Sequence, residues 1–161
     1  MRRLFIIRKD LHLSAGKLAA MVGHCCEAYW TNLLKRCSAD NPVEVLDQSC
    51  EYRFKVDINQ SIWHEYVCGI FTKTICEAPN KNQLMKVLEI IRELREDYVC
   101  NLVLGEDYDF INDKCLTELK PENPDGTTTV GIWFKPLPDD ITHRISKKYK
   151  LYRDKTDTKD I

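Results

Sequence analysis

Lys17 and His24 are the side chains of the N-terminal segment best suited to acid–base or electrostatic chemistry. They stand seven residues apart in SAGKLAAMVGHCC, residues 14–26, with Met21 between them. At about 100° per residue, a helix places these three side chains within about 60° of one another. Ser14 is a typical N-cap, and the free N–H groups at a helix start favour an anion. The spacing predicts a cation and an imidazole on one line near the start of a helix.

The helix that carries these residues has its apolar stripe beside them. The stripe consists of Leu18, Val22, Cys25, Cys26, Tyr29 and Leu33. Asn41 and Pro42 predict the end of the helix. From this helix alone two interpretations stay open. Lys17 and His24 form one wall of an active site, or Lys17 faces solvent and His24 is a partly buried packing residue.

Alternating strand and helix patterns predict an α/β fold. RLFIIRKDL is a dense apolar run, which is typical of a central strand buried on both faces. Further strands are predicted at 69–78, 107–112 and 127–135, and further helices at 80–98 and 136–150. Asn80 is the predicted cap of the helix over 80–98, whose apolar stripe consists of Leu84, Val87, Leu88, Ile91 and Leu94. The order β-α-β-α-β-β-α predicts a three-layer α/β/α domain with a four-stranded mixed sheet. Its first two strands are parallel across a crossover helix, and its last two are antiparallel.

The chain of 161 residues has the length of one domain. We predict a single domain over 1–153, with 43–68 as a probable insertion that packs on the domain edge. Residues 154–161 are polar and form a tail.

Eight cysteines are present, but none forms a C-x-x-C pair. Several lie inside apolar segments, where a reduced thiol acts as a small hydrophobic side chain. The pattern fits neither a zinc site nor a disulfide framework, and we expect no metal and no cofactor.

Charge and hydropathy point away from a membrane protein. The net charge is −1, no apolar run approaches the roughly 20 residues of a membrane span, and the apolar run Leu4–Ile7 is too short for an export signal. We therefore expect a cytoplasmic protein without a membrane partner. Residues 143–155 hold six Lys or Arg and one Asp. This segment is either a patch that contacts phosphates or a solvated helix face.

Four segments, in order, resemble the type II peptidyl-tRNA hydrolases. IIRKDLHLSAGKLAAMVGHCCEAYW is similar to the family's strand ending in R-x-D-L, followed by G-K-x-A-A-Q-x-x-H-A. KTICEAPNKNQLMKVL resembles its K-V-V-x-K-A-x-x-E-x-x-L passage. FINDKCLTELKP followed by DGTTT resembles I-x-D-A-G-R-T-Q-I-A-P-G-T-x-T, and IWFKPLPDDITHRISKKYKLY resembles the family's C-terminal segment. The resemblance extends from residue 3 to about 152, except for 38–68, part of 97–109, and 122–125.

The resemblance implies hydrolysis of the ester that joins a peptide to the 3′ ribose of tRNA. Such a reaction needs an attacking water, a proton acceptor and donors for the oxyanion. The resemblance places Asp113 near His24, as water-orienting or base groups. Lys17 and a threonine hydroxyl, from Thr117 or Thr129, would donate to the carbonyl oxygen or to a phosphate.

The resemblance also implies contacts with tRNA, and a possible homodimer. The helix start at Ser14 would hold the tRNA 3′ end. Basic side chains would contact backbone phosphates without reading sequence. The residues expected to make these contacts are Arg2, Arg3, Arg8, Lys73, Lys147 and Lys148.

Several positions depart from the family pattern. Met21 stands where the family has Gln, Glu77 stands where it has a second lysine, and Lys114-Cys115 replaces Ala-Gly. The register of Thr127–Thr129 is open by one residue. These departures leave two other functions open: a catalytically altered member that binds tRNA or protein, and an interaction protein that docks through 43–68.

The residues of the third segment each have a structural explanation too. Asp113 could cap a turn, and Thr117 and Thr129 could be ordinary loop and strand residues. Cys115 as a thiol nucleophile is disfavoured, because nothing marks a base dedicated to it.

Overall fold

The computed structural model describes residues 1–46 and 51–153 of the chain. The strands of this part are β1 (Arg3–Arg8), β2 (Glu44–Leu46), β3 (Glu51–Arg53), β4 (Lys73–Ala78), β5 (Tyr108–Asp113), β6 (Thr128–Phe134) and β7 (Lys150–Leu151). The α-helices are α1 (Ala15–Asp40), α2 (Lys81–Met85), α3 (Val87–Glu96) and α4 (Asp139–Ser146).

The central sheet is mixed, with strand order β5-β6-β1-β4-β7. β1 and β4 are parallel, with Arg3 opposite Lys73 and Arg8 opposite Ala78. The other neighbours are antiparallel. The predicted α/β class, the parallel first pair and the antiparallel β5–β6 pair are therefore confirmed.

The predicted number of four strands is wrong, because the sheet has five. The additional strand is β7, which pairs with Cys76 and Glu77 of β4. The backbone N–H of Tyr152 extends this edge by donating to the carbonyl of Ile75 at 2.9 Å. The helix predicted over 136–150 included Lys150 and left Leu151 unassigned, since a two-residue strand shows no alternation.

Two apolar cores lie on opposite faces of the sheet, which confirms the three-layer arrangement. Alternate residues of β1 enter different cores, because successive side chains of a strand point to opposite faces. Phe5 and Ile7 pack with α1, whereas Leu4 and Ile6 pack with α2, α3 and α4. β1 is thus buried on both sides along its whole length.

α1 begins as predicted at the Ser14 cap, whose side chain accepts a hydrogen bond from the backbone N–H of Lys17. It ends at the Asn41 cap. Its buried residues form one i, i+4 row of Met21, Cys25, Tyr29, Leu33 and Cys37. The core stripe is therefore turned towards Met21, and Leu18 and Val22 are only half-buried.

The helix predicted over 80–98 is divided into α2 and α3 at Lys86. The predicted cap is confirmed, because the Asn80 side chain accepts from the backbone N–H of Gln83. Leu84, Val87 and Leu94 are buried in the core, as the apolar stripe predicts.

The segment 43–68 contains the antiparallel pair β2–β3 and a short π-helix, Ile62–Val67. Ile62 and Tyr66 of this π-helix are buried. The predicted polar tail, 154–161, and Cys50 lie outside the described residues.

The seven cysteines of the described part are free thiols. Cys25, Cys37 and Cys76 are buried, as predicted, whereas Cys68 is exposed. Burial raises the pKa of Cys25 to about 12 and that of Cys76 to about 11. Residues 1–46 and 51–153 contain no cluster of metal-ligand type. The helices of the same ranges include none with the length and apolarity of a membrane span.

Candidate functional site

Three elements meet at one end of the sheet and form the candidate site. α1 starts there, shortly after the last residue of β1. β5 ends there at Asp113, which pairs with Thr128 at the start of β6. The loop 114–127 joins these two strand ends and passes the first turn of α1.

A close ion pair joins Lys17 of α1 to Asp113 of β5. Lys17 Nζ lies 2.6 Å from Asp113 Oδ1, and the two side chains are 13% and 8% exposed. The other carboxylate oxygen, Oδ2, accepts the backbone N–H of Cys115 at 3.0 Å. Both oxygens of Asp113 therefore have a donor, and the carboxylate is held in a fixed orientation beside the ammonium group.

Thr117 adds a hydroxyl to this pair. Its Oγ1 lies 3.4 Å from Lys17 Nζ, and the residue is exposed. An ammonium, a carboxylate and a hydroxyl thus meet at a point that solvent reaches. This group of Lys17, Asp113 and Thr117 is called the Lys17 site below.

The start of α1 already holds a carboxylate. The hydroxyl of Ser14 donates to Glu118 Oε1, and the backbone N–H of Ser14 donates to Glu118 Oε2 at 3.3 Å. A negative charge is stabilised there by the positive end of the helix dipole. Glu118 therefore occupies the place that the sequence analysis assigned to the tRNA 3′ end.

Arg8 is also held by carboxylates of this region. Its guanidinium donates to Asp10 at 2.8 Å and to Glu122, and it is 4% exposed. Burial lowers the pKa of Arg8, but the hydrogen bonds to Asp10 and Glu122 outweigh burial and leave the pKa raised. Lys81 Nζ lies 3.7 Å from Glu122. Arg8, which was predicted to contact a phosphate, is thus paired with carboxylates of the chain itself.

His24 and Thr129 are not part of this group of contacts. His24 is exposed, and no hydrogen bond or ion pair connects it to any residue of the described ranges. His24 is seven residues after Lys17 on α1, which corresponds to about 10 Å along the helix axis. Thr129 accepts from Asn123 at 3.2 Å, and Asn123 accepts from Lys81 at the start of α2.

The strand register answers the question left open for Thr127–Thr129. Thr128 pairs with Asp113, and its hydroxyl donates to the carbonyl of Lys120 at 2.5 Å. The thiol of Cys115 lies 3.4 Å from the same hydroxyl. Thr128, and not Thr129, is the strand threonine next to the Asp113 loop.

The predicted phosphate contacts outside the Lys17 site lie elsewhere. Lys73 is the first residue of β4. The residue of β4 that lies beside Arg8 is Ala78, at the opposite end of the strand. Lys147 and Lys148 are exposed after α4, near Glu93 of α3 and near Asp97, which caps the end of α3. Arg2 bonds Asp139 at 2.9 Å, and this hydrogen bond lowers the pKa of Asp139.

Two of the departures from the family pattern have a clear structural setting. Met21 is 3% exposed and packs in the core beneath α1. Glu77 forms an ion pair with Lys9 at 3.5 Å, so its negative charge is compensated locally. Neither residue contributes a polar group to the Lys17 site.

Glu118, Glu122 and Asn123 also border the site, and none of them was predicted from the sequence. A signal was present for Glu118, because an acidic residue directly follows Thr117. The positions of Glu122 and Asn123 depend on how the loop 114–127 folds back on Arg8 and Lys81. No local pattern encodes that path.

The arrangement provides the groups that hydrolysis of an ester needs. Asp113 can orient a water molecule and accept a proton from it. Lys17 and Thr117 can donate to an oxygen that becomes negative when water adds to a carbonyl. A covalent nucleophile is not required by this chemistry.

The comparison with protein families agrees with this chemistry. A model of the family described as Peptidyl-tRNA hydrolase PTH2 matches residues 1–152. The chain belongs to this family, and the activity at the family level is hydrolysis of peptidyl-tRNA. No curated protein matches the chain.

Proposed function

We propose that this chain hydrolyses the ester between a peptide and the 3′ ribose of tRNA at the Lys17 site, using water as the nucleophile. The observation that carries the proposal is the 2.6 Å ion pair of Lys17 and Asp113 at a point that solvent reaches. Membership of the family supplies the class of substrate.

Each group of the site has one role in the proposed reaction. The oxygen of a water molecule, oriented by Asp113, adds to the ester carbonyl carbon, and Asp113 accepts the proton of this water. Lys17 and Thr117 donate hydrogen bonds to the resulting oxyanion. The bond to the ribose 3′ oxygen then breaks, and that oxygen leaves with the proton, which yields a free peptide carboxyl group and a free tRNA 3′ end.

We assign proton acceptance to Asp113 rather than to His24. Asp113 is in contact with Lys17, whereas His24 lies about two helical turns further along α1. An exposed imidazole at that distance suits a contact with the tRNA backbone.

Glu118 must leave the start of α1 if the tRNA 3′ end binds there. Its carboxylate and a phosphate compete for the same N–H group and for the same helix dipole. The loop 114–127 therefore exchanges an internal anion for the substrate's anion when tRNA binds.

The test is turnover of N-acetylaminoacyl-tRNA in ¹⁸O-labelled water. We expect release of N-acetylamino acid with label in its carboxyl group. Lys17→Met should lower kcat by about 10²- to 10³-fold, because an oxyanion donor is lost. Lys35→Met, at an exposed lysine of the same helix, is the matched control and should keep the wild-type rate.

The burial of Met21 favours one second candidate, a tRNA-binding module without catalysis. At the position where the family has the amide side chain of Gln, this chain has Met21, an apolar residue in the core. Binding of tRNA that weakens steeply with salt, together with no release of N-acetylamino acid, would support this candidate and overturn the enzyme.

A further inference from the structure

A cavity of about 400 Å³ lies beside the middle of α1, at the end of β1 opposite to the Lys17 site. It is lined by Arg3 and Lys73, which are the first residues of β1 and β4, and by Trp30 of α1. Trp30 is thirteen residues after Lys17, which corresponds to about 20 Å along the helix. This cavity is called the Trp30 pocket below, and the Lys17 site has no residue in it.

A buried cation lies at the back of the Trp30 pocket. Arg3 is 0% exposed, and its guanidinium donates to the carbonyls of Phe134, Cys26 and Cys25 at 3.1, 2.6 and 2.8 Å. Among residues 1–46 and 51–153, no carboxylate forms an ion pair with it. A desolvated cation without a counter-charge is costly and attracts an anion.

A second cation lies at the rim of the Trp30 pocket. Lys73 is exposed, and Lys73 Nζ donates to the carbonyl of Phe71 at 2.9 Å. Its ammonium lies 5.9 Å from the Tyr66 ring centroid and 5.2 Å from that of Phe71. No carboxylate of the described part forms an ion pair with Lys73, so neither cation of the pocket is paired; the carboxylate in the lining is that of Glu27.

Aromatic rings form much of the remaining wall. Trp30 and Tyr66 stack with their ring centroids 6.3 Å apart and their planes at 27°, and Phe71 is 57% exposed. Rings beside cations are the usual components of sites that hold nucleotides, because a base stacks on the rings and its phosphate pairs with a cation.

The backbone around the Trp30 pocket has two unusual features. Phe71 has a φ of 38°, a left-handed conformation that costs free energy for a bulky residue. Tyr66 belongs to the π-helix Ile62–Val67, a type of helix that is rare and frequent at functional sites. Local strain that exposes an aromatic ring is more common at binding sites than elsewhere.

We propose that the Trp30 pocket binds a nucleotide, meaning an aromatic base that carries a phosphate, either free or as an unpaired residue of an RNA strand. The base stacks on the aromatic wall, and the phosphate pairs with Lys73 in the field of Arg3. Glu27, which also lines the pocket, accepts hydrogen bonds from ribose hydroxyls. The volume is within the range of about 300–1,000 Å³ of small-molecule sites.

The test is equilibrium dialysis of the full chain with AMP, adenosine or inorganic phosphate. We expect AMP to bind at least about tenfold more tightly than either adenosine or phosphate, because only AMP engages both rings and cations. Lys73→Gln and Phe71→Ala should each weaken AMP binding about tenfold. Both side chains are exposed, so both variants should fold.

Lys86→Gln is the matched control, since this exposed lysine lies between α2 and α3 on the other face of the sheet, and AMP binding should be unchanged. A pentaadenylate that binds more tightly than AMP identifies an RNA strand as the source, and equal affinities identify a free nucleotide. Absence of AMP binding at about 1 mM, or AMP binding that Lys73→Gln leaves unchanged, would overturn the proposal.

Discussion

The two ends of β1 carry cations in opposite electrostatic settings. At the end beside the Lys17 site each cation has an internal carboxylate: Lys17 has Asp113, and Arg8 has Asp10 and Glu122. In the Trp30 pocket, Arg3 and Lys73 donate only to backbone carbonyls. The strand pair β1–β4 thus has ion-paired cations beside one end and cations without an ion pair at the other.

This difference predicts that an anion would bind to each end in a different way. At the Lys17 site a phosphate has to displace the carboxylates of the loop 114–127, so binding there is an exchange. In the Trp30 pocket neither cation has an ion pair within the described residues that an anion would have to break, although Glu27 also lines the pocket. Both ends also contain a strained residue, Cys115 with a φ of 57° and Phe71 with a φ of 38°.

Removal of the paired and of the unpaired arginine should have unequal effects on stability. Arg8→Met leaves Asp10 without its cation and Glu122 with only Lys81 at 3.7 Å, and we expect the free energy of unfolding to fall by about 2–3 kcal/mol. Arg3→Met should cost about 1 kcal/mol or less, because it removes a desolvated charge and leaves helix carbonyls that still accept N–H groups. Urea denaturation measures both values. Equal losses in the free energy of unfolding would show that pairing with carboxylates does not distinguish Arg8 from Arg3.

Neutralising Glu118 should strengthen binding of tRNA at the Lys17 site. Glu118→Gln weakens the internal competitor at the start of α1, and we expect the Kd for tRNA to fall about fivefold at low salt. Filter binding at several salt concentrations measures the effect, with Glu106→Gln on a distant loop as control. A weaker affinity for tRNA in Glu118→Gln would mean that the carboxylate holds the site in its binding conformation.

Relief of strain at Cys115 should have the smallest effect. Cys115→Gly places a residue without a side chain at the positive φ, so the free energy of unfolding should rise by about 0.5–1 kcal/mol. The resemblance to the family supports this, since the family has Gly at the position. Thermal denaturation measures the change, and a loss of stability would show that the contact of the Cys115 thiol with Thr128 outweighs the strain.

The elements of the fold could be predicted where they are long and strongly patterned. The strand at Arg3–Arg8, the Ser14 and Asn80 caps and the parallel β1–β4 pair followed from apolar runs and capping residues. β7 could not be predicted, because two residues carry no periodicity. The division of 80–98 at Lys86 also has no signal in the apolar stripe, which continues through it.

The candidate site could be predicted only in part, for a physical reason. Lys17, Asp113 and Thr117 came from the resemblance, and they lie together in the structure. The helical wheel placed His24 beside Lys17, yet the core stripe is turned towards Met21 and leaves His24 in solvent. The ion pair of Arg8 with Glu122 and the hydrogen bond of Ser14 to Glu118 depend on the path of the loop 114–127, which contacts residues about a hundred positions away in sequence.

The central claim is that Lys17 and Asp113 act as one catalytic unit. A double-mutant cycle of Lys17→Met and Asp113→Asn, measured as the single-turnover rate on N-acetylaminoacyl-tRNA, tests it most directly. We predict that each single variant loses about 10²- to 10³-fold in rate, and that the double variant is no slower than the slower single variant by more than about threefold. Losses that multiply in the double variant, or a wild-type rate in either single variant, would contradict the claim.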